Sequence, residues 1–280
     1  GVAAAGLLVT QPGGFSIVFA ANSYTFIVSA LFLWRLRPIR AQAKQESFGG
    51  RSGIWTGVRY LRRNTTLKLA TIGGAVTNLV FAPLEALLLK FVDEQLLATS
   101  PLPWIFDSLF QGPARVGFFV AVQAVVGSIG IVLAPRLADR IRLGRMYVIG
   151  MLALGVGFAA VSAMESFWAV LPAGLALAGV GWVNVAFFTL RQRLTPEEAL
   201  GRVIAASRTL SWLLIPVGAA LGGWLADEIG LLPVYLFGSL AVIGVGTVLL
   251  ATPLYRADGT PDPSPWDRAM MHGSPTRGRK

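Results

Sequence analysis

Three polar side chains, Thr71, Asn78 and Glu85, recur at seven-residue intervals through an otherwise apolar stretch, with Gly74 on the same side. On an α-helix a heptad drifts by only ~20°, so the three make one polar stripe. Polar groups facing lipid are costly, so the stripe is expected to face a water-filled cavity. Glu85 is the lone carboxylate inside the long apolar runs of this chain. If that cavity is partly desolvated, Glu85 is expected to take up and release a proton. Two plainer placements compete: a carboxylate that snorkels to water from the helix end, and one paired with Lys90. A cation sits as oddly in "GRVIAASRTLSWLLIPVGAALGGWLAD", residues 201–227, where Arg208 follows the apolar start at Val203. At a rise of 1.5 Å per residue it lies only about 8 Å deep, within snorkelling reach of headgroups. A rare intramembrane cation usually has a partner, which favours a charge latch to Asp139 or Glu198 over contact with a bound molecule. Asn22, Gln123 and Asn184 are uncharged polar groups that either line a cavity or bond between helices. Phe81, Phe187 and Phe188 either line an apolar pocket or face lipid.

Residues of this kind need elements that hold them in a low-dielectric setting. The chain has 280 residues, 54% hydrophobic, with a formal charge of +10. Its mean hydropathy of +0.64 is too high for a surface wetted on all sides. Crossing a hydrocarbon core as a helix takes about 20 apolar residues, because lipid offers the backbone no hydrogen-bond partner. The blocks that meet this length are Phe15–Trp34, Leu69–Leu89, Val116–Leu133, Met146–Met164, Phe167–Leu190, Val203–Ala226 and Leu231–Leu250. Gly1–Thr10 is apolar but too short to cross, and it lacks the initiator Met and basic leader of a signal peptide; it reads as the end of a further helix.

If these spans alternate across a bilayer, the charges sort by side. One side receives Arg35, Arg37, Arg40, Lys44, Arg51, Arg59, Arg62, Arg63 and Lys68, then Arg136, Arg140, Arg142 and Arg145. The same side takes Arg191, Arg193, Arg202 and Arg208, and finally Arg256, Arg268, Arg277, Arg279 and Lys280. The other holds only Lys90 and Arg115, beside Asp93, Glu94, Asp107, Glu165, Asp227 and Glu228. Lys and Arg favour the cytoplasmic face, so the C-terminal tail is expected inside and the start of the first span outside. Topology then accounts for the basicity, and nucleic acid is not an expected partner.

The longest basic connection, Arg35–Lys68, opens with the polar run "RAQAKQESFGGRSG" and continues with "IWTGVRYLRRN". In the latter, Ile54, Val58 and Leu61 recur at helical spacing beside Arg59, Arg62 and Arg63. A short amphipathic helix on the inner membrane surface and a plain tethering connector both fit. Pro101, Pro103 and Pro113 frame "WIFDSLF", an expected interfacial segment with Trp104 and Phe106 at headgroup depth. The Pro-, Gly- and charge-rich tail is expected to be disordered. It holds the chain's one histidine, His272, expected to be solvated. Within the spans, Gly218 and Gly222, with Ala219 and Gly223, form a small-residue face that permits close helix packing. Pro216 removes a backbone donor and is expected to kink its helix near residues 212–216, as a hinge or as a tolerated bend.

"LADRIRLGR", residues 137–145, resembles the cytoplasmic signature loop of the major facilitator superfamily, roughly G-x-x-x-D-R-x-G-R. Asp139, Arg140, Gly144 and Arg145 align with it. Pro135 stands near the expected leading glycine, and Arg142 and Leu143 occupy a one-residue position. "GRVIAASRTLSWLLIPVGAALGGWLADEIG" is similar to the eleventh helix of the branch with enterobactin exporters and macrolide-efflux-like proteins, and "FAANSYTFIVSALFLWRLRP" resembles its sixth. The resemblance covers residues 1 to 252. It implies an all-α, polytopic membrane bundle: the C-terminal six-helix half of that fold, plus helix six and the end of helix five. Residues 1–35 then belong to the N-terminal bundle, 36–68 form the cytoplasmic basic linker, 69–252 the C-terminal bundle and 253–280 the tail.

The resemblance further implies a secondary exporter of a small amphiphilic molecule, drug-like or siderophore-like, rocking about a midplane site. A proton-coupled cycle would use Glu85, and Thr71, Asn78, Gln123 and Asn184 are candidates for lining the cavity. In the family the loop aspartate and arginines form a charge network that closes the inner side. Here that assigns a cytoplasmic gate to Asp139, Arg140, Arg145, Arg202 and Arg208. The expected partners are the bilayer, the small molecule, protons and the N-terminal bundle; the alternative is a half-transporter that acts without transporting. No cofactor or metal is expected: the chain has no Cys, its spans hold no His, and no GxxxxGK[ST] sequence is present. The spans also lack a catalytic constellation, so enzyme activity is not expected.

Overall fold

A computed structural model describes residues 13–35, 53–98, 102–107, 109–110 and 112–260. The Gly1–Thr10 stretch, most of the basic linker and the tail beyond residue 260 lie outside them. Among the described residues nine principal helices follow in order: α1 (Gly14–Arg35), α2 (Gly53–Arg63), α3 (Thr65–Ala86), α4 (Pro113–Arg140), α5 (Leu143–Ser162), α6 (Val170–Leu194), α7 (Glu197–Trp212), α8 (Leu214–Ile229) and α9 (Leu231–Leu250). No strand occurs among the described residues. Seven segments of the described residues are long and apolar enough to cross a membrane, with α7 and α8 together making one of them. The all-α polytopic bundle expected from hydropathy is therefore the observed architecture.

Helices α3 to α9 form the bundle, in which α5 is the most enclosed span. It lies against α6 and α9, while α6 also packs on α4, and α3 on α8 and α9. Close approach rests on small residues. A Cβ on Gly150 would sit 2.8 Å from the Gly179 carbonyl oxygen, joining α5 to α6. Gly218 lies against the Leu79 carbonyl and Gly222 against Pro83, with no room for a Cβ at either, so this glycine pair brings α8 onto α3. α1 is exposed along almost its whole length and has no extensive contact with the bundle.

The core divides along the helices into two apolar clusters. One is built on Leu67, Met146, Tyr147, Met151, Leu190, Val203 and Leu254, at the end carrying the arginine-rich connections, here called the basic end. The other, at the opposite end, is built on Leu84, Phe91, Leu96, Phe119, Phe158, Val170 and Tyr235. The loop there folds onto the bundle: Phe106 and Phe110 stack on Phe118 at 4.7 and 4.6 Å. Asp107 pairs with Arg115 at 3.3 Å.

Two sequence expectations change. The chain stays folded past residue 252: Pro253–Arg256 form a 3-10 turn, and Leu254 is fully buried. Gly144, whose position leaves no room for a Cβ beneath the Leu254 carbonyl, admits this strap, and its N–H donates to Ala257 at 2.9 Å. Composition alone hid the contact, because the anchoring leucine stands among polar residues. The helix in 53–63 also docks on protein. Gly57 abuts the Arg202 carbonyl, Tyr60 donates to the Leu194 carbonyl, and Leu61 is buried.

Candidate functional site at the basic end

A one-residue interruption of the helix, at Leu213, falls inside the expected interval. Pro216 offers no N–H to the Trp212 carbonyl, and the helix breaks at Leu213 before resuming as α8. Backbone acceptors near such a break need donors from elsewhere. The Asn78 amide supplies one, donating to the Ser211 carbonyl at 2.8 Å. The Ser211 hydroxyl reaches back toward the Thr71 carbonyl at 3.5 Å. The first two members of the polar stripe thus clasp α3 to the break in the α7–α8 span. Thr71 is buried with its hydroxyl unpartnered, Asn78 is half-buried and Glu85, in the last turn of α3, is exposed. Among the described residues Glu85 makes no ion pair with Lys90.

One turn deeper into the basic end lies a residue that the sequence reading counted only as a loop charge. Arg191 is 1% exposed. Its guanidinium lies 4.2 Å from the ring centre of Phe187 and 4.5 Å from that of Phe188, and it donates to the Ser207 hydroxyl at 2.7 Å. Its Nε is buried without a partner. No carboxylate among the described residues neutralises it; two aromatic faces and a hydroxyl replace the counterion. The available signal was local: Phe187 and Phe188 precede Arg191 by four and three positions, the spacing at which helical side chains meet. Nearby, the Tyr147 hydroxyl donates to the Ala70 carbonyl at 2.7 Å, tying α5 to α3.

Among the described residues, no ion pair of the expected latch is formed. Asp139 and Arg140 are exposed at the end of α4. Arg208 lies over the Trp212 ring at 4.3 Å, on its own helix, with no ion pair to Asp139. The Glu198 side chain lies outside the description. Arg145 lies 5.5 Å from the Tyr255 ring centre, while Arg142 and Arg193 reach the carbonyls of Arg256 and Asp258 at 3.4 Å each. Arg142 and Arg145 of the signature loop therefore engage the C-terminal strap, while Arg140 stays exposed. Gln123 and Asn184 are not drawn into the clasp. Gln123 is buried between α4 and α6, its amide 3.4 Å from the Ala173 carbonyl, and Asn184 is exposed on α6.

The family described as Major Facilitator Superfamily matches residues 87–276, more than half of the chain. The chain belongs to that superfamily and is a multi-pass membrane protein. It is 32% identical over 154 residues to the uncharacterized MFS-type transporter y4rN of Sinorhizobium fredii, covering 54% of this chain and 36% of the relative. It is 23% identical over 263 residues to the multidrug efflux pump Tap of Mycolicibacterium fortuitum, covering 90% and 59%. It is 27% identical over 272 residues to the uncharacterized MFS-type transporter YvqJ of Bacillus subtilis, covering 89% and 59%. The chain thus spans between a third and three-fifths of the length of these relatives. No solved structure matches it.

Proposed function

We propose that this polypeptide is the C-terminal portion of a secondary exporter of small amphiphilic molecules, of the branch with enterobactin exporters and macrolide-efflux-like proteins, working by alternating access and proton antiport. The similarity to an efflux pump along 90% of the chain carries the reading. The broken α7–α8 span, clasped by Asn78, supplies an element able to bend as the bundle rocks. In this reading residues 1–35 belong to the N-terminal bundle, 36–68 link the halves and 69–252 form the C-terminal bundle. The basic end, with the C-terminus, faces the cytoplasm at the plasma membrane. Glu85 carries the coupled proton, and Asp139, Arg140, Arg145, Arg202 and Arg208 are the cytoplasmic gate.

The test is ethidium efflux from cells producing the full natural polypeptide. The reading requires efflux that stops with a protonophore and is lost in Glu85→Gln. Protonophore-resistant efflux would remove proton antiport, and accumulation equal to that of control cells would remove multidrug-type export.

A further inference from the structure

α2 presents two unlike faces. Gly57, Tyr60 and Leu61 are fastened to α6 and α7. Trp55, Val58, Arg59, Arg62 and Arg63 line an outward groove of about 490 Å³. The three arginines are exposed and make no hydrogen bond or ion pair among the described residues, and the helix contains no carboxylate. Trp55 is 72% exposed beside them.

The depth of this groove is set by the chain itself. Only Asn64 separates α2 from α3, and its side chain caps α3 by accepting the Leu67 N–H at 3.0 Å. α3 is a membrane span, so the arginine stripe stands at its entrance, where phosphate headgroups lie. Guanidinium forks match phosphate oxygens in pairs. Trp55 and Val58 add an apolar border suited to the glycerol and first acyl carbons, which a free anion would leave empty.

We propose that the α2 groove is a binding site for the headgroup of an anionic phospholipid, with Arg59, Arg62 and Arg63 holding the phosphate. Because the opposite face of α2 is fixed to the Arg202 carbonyl of α7, lipid held there also braces the start of the broken span. The proposal rests on the membrane placement of α3 and not on transport, so a failed efflux assay leaves it standing.

The experiment is native mass spectrometry of the purified protein in detergent micelles doped with phosphatidylglycerol or phosphatidylcholine. Wild type should retain phosphatidylglycerol selectively. Each arginine replaced by glutamine should weaken retention about fivefold. The triple variant Arg59→Gln, Arg62→Gln, Arg63→Gln should therefore lose about a hundredfold, while Arg136→Gln, Arg140→Gln, Arg142→Gln, with equal charge loss at the same end, stays within about twofold. If the first triple variant does not fold, Arg62→Gln alone decides, since Arg62 is exposed and makes no hydrogen bond or ion pair among the described residues. Equal losses in both triples would overturn the proposal, as would equal retention of phosphatidylcholine. Complete displacement of the lipid by excess inorganic phosphate would overturn it in favour of a free-anion site.

Discussion

The two ends of the bundle are held together by different chemistry. At the opposite end, aromatic rings stack: Phe91 on Tyr235 at 4.1 Å, and Phe118 against Phe106, Phe110 and Phe167. There too lies the one ion pair among the described residues, Arg115 with Asp107. At the basic end the arginines find rings, carbonyls and a hydroxyl instead of carboxylates. The difference follows from how spans sort charge. With 22 of the 24 basic residues but only 7 of the 14 acidic ones on that side, one end has cations in excess and must satisfy them with neutral partners or with headgroup phosphates. Bonds to neutral partners can be exchanged without stranding a counterion.

That contrast can be broken at either end. Phe91→Ala removes a fully buried ring from the stacked end and should cost about 3–5 kcal/mol, read as a fall in the thermal midpoint in detergent. Gly144→Val drives a side chain into the strap at the basic end and should cost about 1–3 kcal/mol, with limited proteolysis now cutting near Leu254. Ser207→Ala strips the hydroxyl from the buried Arg191 guanidinium and should cost about 1–3 kcal/mol. Adding Arg191→Met should recover most of that loss, because the uncompensated charge is gone; no recovery would mean that Ser207 acts through something else. Asp107→Asn should cost under about 1 kcal/mol, and the difference from wild type should vanish in high salt.

The smallest effect concerns pH. Bonds from the Thr260 hydroxyl and N–H hold the exposed Asp258 carboxyl below the usual carboxylate range. Its contribution to strap order is present above about pH 4 and lost as pH falls through the depressed folded-state value. The Thr260 amide resonance should follow that titration, and Asp258→Asn should abolish it.

Much of this protein was legible because lipid imposes simple rules. A backbone without solvent partners must be helical, so hydropathy located the seven spans. A charged loop resists translocation, so arginine counting sorted their ends. Proline has no N–H, so the break near residue 213 was readable, and the small-residue pair at Gly218 and Gly222 marked a close approach. What it touches, the Leu79 carbonyl and Pro83, was not readable.

The partners of individual polar groups belonged to the tertiary structure alone. Asn78 stood out as a polar residue in a span, but its bond to Ser211 depends on where α3 crosses a helix more than a hundred residues away. Arg191 looked like a loop charge because its exposure is set by how α6 and α7 fold back on each other, which periodicity does not record. Asp139 and Arg208 were matched by charge and topology, yet the fold gave Arg208 an aromatic ring one turn away. Local rules of hydration and hydrogen bonding act on a segment by itself, and so they are written in the sequence. The choice among several sufficient partners is made by distance, and distance exists only once the helices have packed.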